Sequence, residues 1–134
     1  MQSIMVVEDD VAVAELLEDV LGHAGYRVHA LHHLRSARLA LEVTGADLLI
    51  ADVGLPDGSG IEVARRAEAL GIPALLMTGH PGHMQELDAV HRIYLCKPFR
   101  LQHLKRQVRD LLQQRDEPVA VSSRIRRQMN QQLP

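Results

Sequence analysis

Glu8-Asp9-Asp10, Asp52 in the run Asp52-Val53-Gly54-Leu55-Pro56, and Lys97 in Lys97-Pro98-Phe99 place separated carboxylates and one amine along the chain. That is the inventory needed to hold a divalent cation and move a phosphoryl group. The amine stands out because the chain carries thirteen arginines and only two lysines, Lys97 and Lys105. A compact ammonium on a flexible stem points at a single oxygen where a planar guanidinium fork does not fit. Carboxylates gathered without a cation repel and raise one another's pKa, so the set makes sense if Mg²⁺ or Mn²⁺ neutralises it. Mg²⁺ takes a few carboxylates, water and phosphate oxygens at roughly 2.0–2.1 Å. With a phosphate oxygen so clamped, the Asp52 carboxylate can attack phosphorus and give an acyl phosphate. Lys97 and the Thr78 hydroxyl would then bind the remaining equatorial oxygens.

These residues need a scaffold that brings them together. Five short apolar runs, Ile4 to Val7, Tyr26 to Ala30, Leu48 to Ala51, Ala74 to Met77 and Ile93 to Cys96, read as strands. Between and after them, apolar residues recur at helical spacing: Val13, Leu16, Leu17, Val20 and Leu21; Leu34, Ala37 and Leu41; Ile61, Ala64 and Ala67; Leu101, Leu104, Val108 and Leu111. Gly22 and Gly25, Gly45, and Gly71 fall where left-handed caps would end the first three helices. Residues 81 to 92 form the weakest helix: Met84, Leu87 and Val90 give a stripe, but Gly82 and two histidines interrupt its start. Strict alternation with near-continuous apolar strands predicts an α/β fold, a doubly wound (βα)5 unit with a five-stranded parallel sheet covered on both faces. In such sheets ligands bind outside the carboxyl ends of the strands, where strand order reverses. Glu8, Asp9, Asp52, Thr78 and Lys97 all map to that edge.

A length of 134 residues fits one domain, expected over residues 1–114, and a polar, disordered tail over 115–134. Hydrophobic residues make up 46% of the chain and aromatics 2%, so the core is aliphatic. The net charge of −2 hides ten acids against three bases in residues 1–60 and seven against twelve in 61–134. Most of the arginines read as solvated surface, and those of the tail lack the interleaved aromatics of a nucleic-acid interface, so nucleic-acid binding is not expected. Cys96 is the only cysteine, which excludes an internal disulfide, and its strand context predicts a packed, inert thiol. No segment approaches the ~18 apolar residues of a membrane span, and the start lacks a basic n-region. The expectation is a soluble, cytoplasmic protein with no membrane contact.

The set Val6-Val7-Glu8-Asp9-Asp10, Asp52-x-x-Leu55-Pro56-x-x-x-Gly60, Met77-Thr78-Gly79, and Tyr94 three residues before Lys97-Pro98-Phe99 resembles the receiver domain of two-component response regulators over about residues 3–114. The resemblance implies a flavodoxin-like sandwich and a phosphoacceptor rather than an enzyme. Asp52 would be phosphorylated by a histidine kinase or histidine phosphotransfer protein. Asp9 would ligate Mg²⁺ directly, Glu8 largely through water, and the Gly54 backbone carbonyl would add a further ligand. Thr78 and Tyr94 would be the switch pair, repacking the surface made by the fourth helix, fifth strand and fifth helix for a downstream partner or a homodimer. The Lys97–Pro98 bond would be cis.

Two positions depart from the commonest pattern of that family: Gly54 offers no side chain two residues beyond the acceptor, and His80 sits two beyond Thr78. The expectation is that His80 touches the phosphoryl group or its attacking water and that bare Gly54 leaves water access open. Histidine-based zinc binding is not expected, because the histidines lack a cysteine pair or a matching acidic ligand. Within the signalling class, a stand-alone switch, a phosphorelay shuttle and a receiver excised from a hybrid kinase share this sequence pattern. An aspartyl-phosphate phosphatase would want a second Asp where Gly54 stands. A nucleotide-binding domain would want a glycine-rich turn in place of Glu8-Asp9-Asp10.

Overall fold

The computed structural model describes residues 1–116, so the expected tail lies outside the described residues from position 117 onward. Five strands, β1 (Ser3–Val7), β2 (Arg27–Leu31), β3 (Leu48–Asp52), β4 (Ala74–Thr78) and β5 (Tyr94–Cys96), alternate with α1 (Val11–His23), α2 (Leu34–Val43), α3 (Gly60–Ala69), α4 (Pro81–Ala89) and α5 (Leu101–Asp116). The sheet is parallel throughout, in the order β2-β1-β3-β4-β5, so the reversal of strand order falls between β1 and β3. This is the doubly wound, flavodoxin-like (βα)5 arrangement. In the β3–α3 connection, Gly54–Leu55 pairs antiparallel with Gly58–Ser59.

Alternation along the strands builds a core on each side of the sheet. Ile4, Val6, Leu48, Ile50, Leu75 and Met77 pack with Leu17 and Leu21 of α1 and Leu104, Val108 and Leu112 of α5. Met5, Val7, Leu49, Ala51 and Leu76 face the other way, onto Leu34, Ala37 and Leu41 of α2, the apolar face of α3, and Leu87 of α4. Burial on both faces is why the strands carry no polar alternation. The helix stripes differ in detail from the periodic reading. Leu16 is 45% exposed and Leu101 39%, because α1 centres on Ala14, Leu17 and Leu21, and α5 on Leu104, Val108 and Leu112. Cys96 is exposed, contrary to the expected packed thiol. It sits on an edge strand, on the side of the sheet opposite buried Leu95.

Helix ends explain several residues that the site does not use. Asp10 turns away from the other two acids and accepts the Ala12 and Val13 N–H groups, capping α1. His33, the N-cap of α2, gives no side-chain cap. Asp57, from the β3–α3 connection, takes that role by accepting the N–H groups of Leu34 at 3.0 Å and Arg35 at 3.2 Å. Those bonds hold the Asp57 carboxyl below the usual carboxylate range. A folded pKa below the unfolded one means stability that is present above the unfolded pKa and lost as pH falls through the folded one. Asp57→Ala is therefore expected to melt below the parent at neutral pH, with the gap closing in acid below about pH 4. Thermal melts across that range check this.

The residues that leave α1, α2 and α3 in the left-handed region are Gly25, Gly45 and Gly71, but α4 uses His91, at φ 56°. His91 N–H reaches the Asp88 carbonyl and Arg92 N–H that of Leu87, which closes the helix. A β-carbon is unfavourable in that conformation. His91→Gly is expected to stabilise the chain by about 0.5–1 kcal/mol in urea unfolding. Arg38, Arg66 and Arg92 pair with Glu62, Glu42 and Glu68, which accounts for part of the basic surface.

Candidate functional site

Glu8 and Asp9 leave β1, Asp52 ends β3, Thr78 ends β4 and Lys97 follows β5. They lie at the carboxyl edge of the sheet, at the reversal of strand order. Ligand oxygens of Glu8, Asp9 and Asp52 fall within 4.8 Å of one another. Lys97 Nζ stands 2.7 Å from Asp52 Oδ2 and also donates to Glu8 Oε1. The second oxygen of Asp52, Oδ1, accepts the Gly54 N–H at 3.0 Å.

Close backbone approaches set this geometry. A β-carbon at Gly60 would lie 2.0 Å from the Asp52 carbonyl oxygen, so only glycine lets α3 begin against the end of β3. At Gly79 it would lie 3.3 Å from Lys97 Cβ, so the turn after β4 leaves little room beside the lysine. Lys97 N–H donates to the Thr78 carbonyl at 2.8 Å, and the Lys97–Pro98 peptide is cis.

Glu8 is fully buried, and its Oε2 is buried without a hydrogen-bond partner. Burial and the neighbouring Asp52 carboxylate push the Glu8 carboxyl up to about 7, against the opposing pull of Lys97. Burial also acts to raise Asp52, but the acid of Glu8 beside it, the Lys97 ammonium and the Gly54 N–H outweigh it and hold Asp52 below the usual carboxylate range. Burial tends to lower the Lys97 pKa, yet its bonds to Asp52 and Glu8 carry it above the ordinary lysine value. Asp52 is thus held ionised beside a charged ammonium. A buried acid with an unpartnered oxygen is a donor set that suits a small hard cation such as Mg²⁺.

Thr78 is 1% exposed, and its Oγ1 accepts the His80 N–H at 3.1 Å and meets His83 Nδ1 at 3.1 Å. His80 Nδ1 accepts the Gly82 N–H and caps α4. The space beside Gly54 is not open, since a β-carbon there would meet His83 Cε1 at 3.2 Å. His83, which the sequence reading left without a role, fills the volume that glycine leaves. Tyr94 is half-buried and donates its hydroxyl to Asp88 Oδ1 at 3.0 Å. Burial and that bond raise its pKa. Among the described residues, the metal-capable cluster is the carboxylate set, and the histidines contribute nothing to it. No helix among those residues is long and apolar enough to cross a membrane.

Comparison with known proteins gives the same assignment. The response regulator receiver domain family matches residues 4–109. The response regulator MprA of Mycobacterium bovis is 35% identical over 129 residues, 92% of this chain and 56% of its own. The KDP operon transcriptional regulatory protein KdpE of Escherichia coli is 31% identical over 124 residues, 90% of this chain and 55% of its own. The chain thus spans about half the length of these curated relatives. Among solved structures, the response regulator TrrA of Thermotoga maritima, in complex with Mg²⁺-BeF, superposes with a TM-score of 0.74 at 29% identity, covering 83% of this chain and 99% of its own. By its fold, by the acidic edge where strand order reverses and by the match over nearly all of the described residues, this chain belongs to the response regulator receiver domain family.

Proposed function

We propose that the chain is a phosphoacceptor switch in which Asp52 takes a phosphoryl group from a phosphohistidine donor, a histidine kinase or a phosphotransfer protein. The supporting observation is the triad of buried Glu8 with half-buried Asp52 and Lys97, in which Lys97 Nζ lies 2.7 Å from Asp52 Oδ2 and donates to Glu8 Oε1. An ionised Asp52 oxygen attacks phosphorus, the N–P bond breaks, and the donor imidazole leaves with the electron pair and is protonated by solvent. Lys97 exchanges its Asp52 contact for a phosphoryl oxygen, and Thr78 donates its hydroxyl proton to another. Glu8, Asp9, Asp52 and the Gly54 carbonyl would hold Mg²⁺, which when bound neutralises the carboxylates and the phosphoryl oxygens. TrrA, solved with Mg²⁺-BeF, supports that ligand class for a site of this fold. The phosphorylated form then repacks Thr78, Tyr94 and the surface of α4, β5 and α5 for a downstream protein, by a coupling of about 1–3 kcal/mol.

Borohydride trapping tests the assignment of the acceptor. After phosphorylation with acetyl phosphate and Mg²⁺, reduction of the acyl phosphate should convert Asp52 to homoserine, read by peptide mass spectrometry. Homoserine at Asp9 with Asp52 intact would refute it.

A further inference from the structure

Both side chains assigned to the switch are tied to one helix, by residues outside the phosphoryl site. In the first turn of α4, His83 Nδ1 meets Thr78 Oγ1 at 3.1 Å. In its last turn, Asp88 Oδ1 accepts the Tyr94 hydroxyl at 3.0 Å. The helix between them is otherwise lightly held: Leu87 is its one buried residue, and Val90 at its C-cap is 58% exposed. Two side-chain hydrogen bonds are therefore a large share of what fixes α4 against β4 and β5.

The Thr78 bond also competes directly with phosphoryl binding. A hydroxyl has one proton and two lone pairs, and Oγ1 already accepts the His80 N–H. With His83 Nδ1 as acceptor, the Thr78 proton is engaged by the ring. With Nδ1–H as donor, both lone pairs are engaged and the hydroxyl is held in place. In either tautomer the imidazole touches Thr78 Oγ1 on one side and lies beside Gly54 on the other, so a Thr78 hydroxyl that turns to a phosphoryl oxygen gives up its bond to the ring.

We propose that His83 and Asp88 are positioning residues that latch α4 to Thr78 and Tyr94 in the unphosphorylated protein, so that phosphoryl binding must break both bonds before α4 can move. The proposal rests on the phosphoacceptor reading above. Its consequence follows from linkage. Bonds made only in the unliganded state oppose the ligand, and removing them tightens binding by the factor they had been worth.

Beryllofluoride with Mg²⁺ is the probe, titrated into the full chain and read from the signals of its two tyrosines, Tyr26 and Tyr94. His83→Ala and Asp88→Ala should each lower the beryllofluoride Kd about two- to tenfold, with the effects multiplying in the double variant. Asp88→Asn keeps an acceptor oxygen and should stay near the parent. Tyr94→Phe should add nothing in the Asp88→Ala background, since it removes the other half of the same bond. A merely structural role would lower the melting temperature and weaken binding. Parental binding with both alanine variants equal to it or weaker would overturn the latch and leave the phosphoacceptor reading standing. A parent that shows no Mg²⁺-dependent beryllofluoride binding would overturn the phosphoacceptor reading itself, and the latch with it.

Discussion

Lys97→Met is expected to slow phosphorylation by about a hundredfold or more while leaving a folded protein that binds Mg²⁺ more tightly than the parent. The lysine supplies the one cation that touches both Glu8 and Asp52 among the described residues, and Glu8 is fully buried. Methionine keeps most of the apolar stem and removes the charge. Breaking a fully buried pair costs about 3–5 kcal/mol. Lys97 is 24% exposed at its side chain and solvent screens part of the interaction, so a loss of about 2 kcal/mol is expected. Added Mg²⁺ should restore much of that loss, because without the ammonium the carboxylates have no other cation to share. Phosphorylation by acetyl phosphate should nonetheless fall by about a hundredfold or more, as one of the groups that stabilises the equatorial oxygens is gone. Urea unfolding with and without Mg²⁺, beside phosphorylation rates, separates the two effects. A variant that phosphorylates like the parent would remove Lys97 from the chemistry.

Gly60→Ala carries the second large effect. Its β-carbon would lie 2.0 Å from the Asp52 carbonyl oxygen and 2.8 Å from the carbonyl carbon, both backbone atoms that no rotamer change can move aside. Either α3 retreats, which breaks the Gly60 N–H bond to the Val53 carbonyl, or the end of β3 moves and takes Asp52 with it. A loss of about 3 kcal/mol or more is expected, a large fraction of the ~5–15 kcal/mol that holds a domain together. Phosphorylation should fall more than tenfold even at temperatures where the variant is folded. Gly22→Ala is the contrast: a helical glycine in α1 with no atom within 4 Å of the added carbon, expected to be stabilised by up to about 1 kcal/mol. The same chemical change thus has opposite signs at the two positions.

Residues whose placement follows from strand ends were legible without coordinates. Glu8, Asp9, Asp52, Thr78 and Lys97 each follow or end an apolar run, and a parallel sheet collects such positions at one edge whatever the exact strand bounds. The strand over Arg27–Leu31 is displaced by one residue from its apolar run, and Tyr26 packs against the core from just outside it. Both cores were readable because the strands are apolar on consecutive residues. What was not legible depends on loops crossing in space. Asp57 caps a helix that begins 23 residues earlier, and nothing in local spacing records that contact. His83 lies in the first turn of α4, five residues past Thr78, and its place beside Gly54 depends on how α4 docks. The bare Gly54 was the available sign, since an absent side chain leaves a volume that a neighbour can fill. Exposure of Cys96 likewise follows from β5 ending the sheet, which apolar flanks alone do not reveal.

The most direct measurement is the intact mass of the chain after incubation with acetyl phosphate and Mg²⁺, with EDTA and Asp52→Asn run alongside. A gain of one phosphoryl group in the parent, lost with EDTA and in Asp52→Asn, is the expected result. No gain in the parent, together with no Mg²⁺-dependent binding of beryllofluoride, would contradict the assignment of Asp52 as phosphoacceptor.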